Sequence, residues 1–178
     1  MKYKYLAVFF VYQINFIHLH IFRIIMSDIC IYLKMEPYLS EWVYCHFGNP
    51  VKLLKEGIES NLMKRMLSEI PEGARPDTEK DGNVKVVIPY YKEKDPRTFN
   101  YLSPRAKNAL VESFENLFKI NLFSELGTLD NIKCNKTTVI YSYCEKHQIS
   151  EEHWETIRQK YYRIRKRYFK EKKLKLAI

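Results

Sequence analysis

Lys136–Phe169 reads KTTVIYSYCEKHQISEEHWETIRQKYYRIRKRYF, and it carries two helical periodicities joined by a short polar break. From Asn135 to His147, the apolar positions Val139, Ile140, Tyr143 and Cys144 fall on one face of a helix. Gln148-Ile149-Ser150 forms a tight turn, with Ser150 as the next N-cap, and Glu151 and Glu152 suit the positive first turn that follows. The last helix is predicted from Glu151 to about Lys172, with Trp154, Ile157, Tyr161, Ile164 and Tyr168 as its apolar stripe. At about 100° per residue these five fall within roughly 80° of arc, so the stripe is narrow. The opposite face carries Glu155, Gln159, Arg163, Lys166 and Lys170, flanked by Thr156, Tyr162 and Arg167.

The same helix concentrates the charge. Arg158 to Lys175 holds ten basic residues and one acid, Glu171. That segment alone accounts for the chain's formal net charge of +9, so residues 1–157 sum to zero. Aromatics are interleaved with the cations at Tyr161, Tyr162, Tyr168 and Phe169. Basic charge gathered on one element points to a polyanionic partner, nucleic acid first.

A third helix is expected just upstream. Ser103-Pro104 opens it, with Ser at the N-cap and Pro at N1. Its core stripe is Ala106, Leu110, Phe114, Leu117, Phe118 and Leu122, with Gly127 as its stop. Residues 103–178 thus read as a tri-helical basic unit: a supporting helix, a short turn and a second helix laid over a third.

Lys136–Phe169 resembles a homeodomain-like or Myb-like helix-turn-helix, on the evidence of Trp154 and Ile157 anchoring a basic second helix. The resemblance covers about the last 45 residues. It implies duplex DNA as partner, with phosphate contacts from Lys136, Thr137 and Thr138 at the start of the supporting helix and from Arg165, Arg167 and Lys170. Gln159 and Arg163 would meet base edges, since an amide pairs with adenine and a guanidinium with guanine. Lys166 completes the set. The chain departs from the family at Glu151, Glu152 and Glu155, which would face phosphate, so contacts must come from the middle and C-terminal half of the helix. In general character the chain also resembles small proteins of bacterial phages and mobile elements, which implies a regulator or accessory factor.

Between residues 35 and 102 a small α+β body is expected. Leu39, Trp42, Val43 and Phe47 predict a helix after Ser40 that stops at Gly48-Asn49-Pro50. A second helix is predicted from about Glu56 to Ile70, with Ile58, Leu62, Met66 and Ile70 as its apolar stripe and Met63 and Leu67 beside it. Val84–Tyr91 (VKVVIPYY) is the clear strand, placed at an edge or bulge by Pro89. Thr98–Leu102 is expected to return as its hairpin partner, giving a hairpin over about 84–102. The intervening loop with Asp95, Pro96 and Arg97 reads either as a contact surface or as a solvated turn. The fold class is mainly α (α+β).

Residues 1–34 differ in composition from the rest. Their apolar run is broken by Gln13, Asn15, His18, His20 and Arg23, which suits neither a membrane span of about 20 apolar residues nor a cleavable signal. Three readings stand: a leader translated from a start upstream of Met26 or Met35, a membrane or signal segment, and a folded helix. The segment is set aside from the fold on this basis, and a cytoplasmic protein is expected.

Four cysteines, Cys30, Cys45, Cys134 and Cys144, are too sparse for a disulfide framework. No Gly-rich phosphate loop, His-Glu-x-x-His or Cys-x-x-Cys occurs. Cys134, Cys144, His147 and His153 match no common zinc spacing, and Cys144 is more simply a core residue. Cys45-His46 lacks an activating group, and the scattered acids do not gather for Mg²⁺. No enzyme activity, metal or cofactor is expected. The rival readings are an RNA-binding protein, an adaptor whose basic tail is incidental, and a membrane-anchored protein if residues 1–34 are genuine.

Overall fold

The computed structural model describes residues 29–129 and 136–176, with side chains described for 29–127 and 137–170. Their elements run β1 (Cys30–Leu33), α1 (Pro37–Phe47), β2 (Val51–Lys52), α2 (Ile58–Met66), a 3₁₀ turn (Glu79–Asp81), β3 (Val84–Val87), α3 (Pro104–Leu129), α4 (Lys136–Lys146), a second 3₁₀ turn (Glu151–His153) and α5 (Trp154–Leu176). The architecture is mainly helical α+β, as expected. Among the described residues, no helix is long and apolar enough to cross a membrane.

The sheet differs from the expected hairpin. Its order is β1-β3-β2, so β3 is central. β1 runs antiparallel to β3, with Cys30 opposite Val87 and Leu33 opposite Val84. β2 runs parallel to β3, with Val51 opposite Val86. The partner that replaces Thr98–Leu102 comes from the segment set aside from the fold. Ile31 and Leu33 of β1 are fully buried and face the same layer as Val84 and Val86, the period of two that a half-covered strand requires. The ladder stops where the chain loses a donor: the Ile88 amide still donates to Ile29 O at 2.9 Å, and Pro89 follows. Tyr101 makes only a single bridge, exchanging two backbone hydrogen bonds with Ser68.

The loop between, at 92–97, is bound into the fold. Lys94 Nζ donates to Leu67 O at 2.6 Å and to Arg65 O at 3.3 Å, capping the C-terminus of α2. Asp95 Oδ1 accepts from the Arg97 amide at 2.9 Å, and Pro96 is buried. This favours the turn over the contact surface.

Two helices start or face differently from expectation. α1 begins at Pro37, with Glu36 at its N-cap, and Ser40 lies inside the helix donating to Pro37 O. A proline at N1 forfeits no helical hydrogen bond, so it sets the start. The expected stop holds: Gly48 has φ +80° and its amide donates to Tyr44 O. In α2 the buried positions are Ser60 and Met63, with Leu67 just beyond, whereas Ile58 is 76% exposed. Ser60 is turned inward because it answers a buried phenol. Its hydroxyl lies 2.8 Å from Tyr91 OH, which donates to Ser60 O.

α3 carries the predicted stripe almost unchanged: Ala106, Leu110, Phe114, Phe118 and Leu122 are buried and Leu117 packs against them. Ser103 caps it, accepting from the Ala106 amide at 3.3 Å. Gly127 does not end it, since the helix continues to Leu129. One buried cluster takes in side chains from β1 through α5, so the core crosses the boundary expected near residue 103.

The free edge of β1 is covered by the loop before β3. Asp77 Oδ2 accepts from the Tyr32 amide, and the Asn83 side chain bonds both the amide and the carbonyl of Met35. Gly82 sits so close that a Cβ there would lie 2.5 Å from the Leu33 backbone. Gly82→Ala is therefore expected to cost about 2–3 kcal/mol in urea unfolding. Gly127→Ala, where the nearest atom would be 3.9 Å away on a helix interior, should add about 0.5–1 kcal/mol. Equal effects at the two positions would contradict this packing.

Candidate nucleic-acid interface

α5 is placed by its apolar stripe. Ile157 and Tyr161 are buried against the core, with Trp154 and Ile164 partly so. Tyr168, the expected end of the stripe, is 47% exposed and meets only the edge of the fold, its ring 4.9 Å from that of Phe123. The core stripe of α5 thus ends at Ile164, and the side chains described beyond it, through Lys170, are mostly exposed.

The turn before α5 is fastened from a distant element. Gln148 takes a positive φ of 54°, and the buried Ile149 follows. Ser150 holds the N-cap position of the 3₁₀ turn, but its side chain makes no cap hydrogen bond. Its amide and hydroxyl both donate to Glu41 of α1, at 2.8 and 2.6 Å. A carboxylate from α1 thus stands at the positive end of the 3₁₀ turn that leads into α5.

α4 is held by a buried polar cluster. The His147 ring stacks on His46 of α1 at 5.0 Å and 15°, and its Nε2 lies 3.1 Å from the Glu125 carboxylate of α3. Lys146 and Asn121 also donate to Glu125, and Tyr143 OH donates to Asn121. Burial alone would raise the Glu125 carboxyl, but the hydrogen bonds from Lys146, His147 and Asn121 outweigh it and hold the group at about 2. Burial pushes the Cys144 thiol up to about 11, in keeping with a core role.

Against this frame the ten cations of the C-terminus separate. Arg158 is turned inward along its own helix, its Nε and Nη2 both donating to Glu155 at 2.7 Å. Gln159 Nε2 donates to the same carboxylate at 3.0 Å, and together these bonds hold Glu155 at about 2. Lys160 reaches Glu115 of α3 at 3.1 Å and lies 4.8 Å over the Tyr38 ring. Burial works against its charge, but these contacts outweigh it and raise its pKa. Arg158 and Lys160 are thus committed to the fold.

Arg163, Lys166, Arg167 and Lys170 are exposed and make no ion pair among the described residues. Arg165 is half-buried, its guanidinium 5.3 Å from the Phe169 ring. Lys172, Lys173 and Lys175 have side chains outside the described ones. On α4, Thr137 and Thr138 are exposed in the first turn, and Lys136 is its first residue, with its side chain also outside. α4 meets α5 further along, where the Tyr141 ring stacks on Trp154 at 5.0 Å. The structure thus brings Gln159, Arg163, Lys166, Arg167 and Lys170 onto one side of α5.

Gln159 and Arg163 also border a groove of about 950 Å³ between α5, α3 and the start of α1. Lys34, Glu36, Tyr38 and Lys160 line it too. The N-terminal half of α5 is therefore walled on one flank. Reasoning from sequence missed this wall, the Arg158–Glu155 lock and the Tyr141–Trp154 stack. Only the three-residue spacing of Glu155 and Arg158 hinted at the lock.

The His147 imidazole is held below its usual value, chiefly by burial, against the opposing bond with Glu125. The unfolded chain takes up this proton at a higher pH than the folded one. Stability present above about pH 6.5 is therefore lost as pH falls below it. Thermal unfolding of the full chain should show the midpoint declining through that window, and His147→Gln should flatten the decline. An unchanged profile in the variant would assign the dependence elsewhere.

No protein-family model, curated protein or solved structure matches this chain.

Proposed function

We propose that this chain binds DNA through the exposed basic side of α5, as a regulator or accessory factor. The observation that carries the reading is the division among the cations. Arg158 and Lys160, the two cations of α5 that serve the fold, each have an acid built beside them. Among the described side chains Arg163, Lys166, Arg167 and Lys170 have none, although they lie within two turns of one another on a helix anchored by its other face. Four like charges kept so close repel one another, a cost that a phosphate backbone removes.

The middle and C-terminal half of the helix supplies these contacts. Its beginning is occupied by Glu151, Glu152 and Glu155 and walled by the residues around Lys34. Gln159 would have to release Glu155 before its amide could pair with a base, so Arg163 is the better base-edge candidate.

The test is fluorescence anisotropy of the full chain on a random duplex at two salt concentrations. Affinity should fall steeply with salt, by about 0.9 in logarithmic slope for each phosphate neutralised. Replacing Arg163, Lys166, Arg167 and Lys170 together by Ala should lower affinity at least tenfold and flatten the slope by about 3–4. Absence of binding at low salt would reject the reading.

A further inference from the structure

A second row of side chains runs along α5, on the flank that faces α4. Trp154, Arg158, Tyr162, Arg165 and Phe169 follow one another at intervals of three or four residues and alternate aromatic with arginine. The contacts between them are direct. The Arg158 guanidinium lies 5.9 Å from the Trp154 ring and 5.8 Å from the Tyr162 ring, and that of Arg165 lies 5.3 Å from Phe169. Tyr141 of α4 extends the row, stacked on Trp154 with 25° between the planes.

Of this row only Trp154 packs against the core. Ile157 and Tyr161 fill that role from another face, while Tyr141 and Phe169 are 38% and 45% exposed. Nor is Arg158 set up to hold phosphate. Glu155 takes its Nε and Nη2 and balances its charge, which leaves it less of both for a phosphate than the exposed cations have. A planar cation held between aromatic rings is a stacking surface.

We infer that this flank stacks unpaired bases, so that the preferred ligand of α5 is single-stranded DNA. The inference rests on the nucleic-acid reading above and deepens it. Successive rungs stand about 5–6 Å apart along the helix. Bases stacked in a duplex rise only about 3.4 Å and show their edges, not their faces. Bases meeting successive rungs must therefore be splayed from one another, which a single strand allows. The exposed cations Lys166 and Lys170 lie on the adjoining face, where they meet the backbone of a strand whose bases lie on the rings. A duplex meets those cations alone.

The test compares labelled oligo(dT), oligo(U) and a random duplex of equal length against the full chain by anisotropy at one salt concentration. Tyr141→Leu plus Phe169→Leu removes two rings and no charge. Phe169→Leu alone, at an exposed position, serves if the double variant unfolds. Oligo(dT) is expected to bind at least tenfold tighter than duplex. The ring variants should lose most of that margin while duplex binding changes less than twofold. Duplex bound as tightly as oligo(dT), or ring variants that bind oligo(dT) as wild type does, would overturn the inference and leave the basic-face reading standing. Tighter binding of oligo(U) would overturn the assignment to DNA. Binding of none of the three would remove both.

Discussion

Phe118 is the point at which three helices meet. Its ring, fully buried on α3, lies 5.4 Å from Tyr38 and 5.6 Å from Trp42 of α1, and 6.5 Å from Tyr143 of α4. One turn earlier Phe114 meets Phe47 at the end of α1. Tilted and edge-on rings of this size bury large apolar areas and also fix orientation, because each edge seeks a face. α5 then takes its place on the surface these helices form, with Ile157 and Tyr161 against it. The sheet is short and sits to one side, closed by the loop that ends at Gly82.

Polar groups give the packing its register. Hydrophobic contact alone allows a helix to slide or rotate at small cost, whereas a buried donor must find its acceptor. Glu41, His46 and Glu125 reach from α1 and α3 to Ser150 and His147 at the end of α4, and so fix where α5 begins. Ser60 does the same for α2 by meeting Tyr91. The face that α5 turns to solvent is thus decided at its other end, by residues more than a hundred positions away in sequence.

The legible parts of this chain were those governed by local rules. The stripe of α3, its Ser103 cap, the Gly48 stop and the buried face of α4 all follow from periodicity and backbone preference within a dozen residues. The concentration of cations on α5 and their placement opposite Ile157 and Tyr161 are equally local. What failed depended on distant partners. Val84–Val87 was recognised as a strand, but a strand's neighbour is chosen by packing, and β1 took the place expected for Thr98–Leu102. In α2 Leu62, Met63, Met66 and Leu67 face the core as expected, but apolar periodicity could not anticipate the exposed Ile58 or a serine turned inward to a tyrosine.

The candidate site divides in the same way. Sequence by itself determined that a basic, aromatic-bearing helix ends the chain, since side-chain charge and helical phase need no other element. Only the tertiary structure decided which cations remain for a ligand. Arg158 and Lys160 are neutralised by acids one helical turn away and on α3, and the groove beside Arg163 is walled by Lys34 and the start of α1. Charge is a property of a residue, but its availability is a property of the residues folded against it, and those come from every part of the chain.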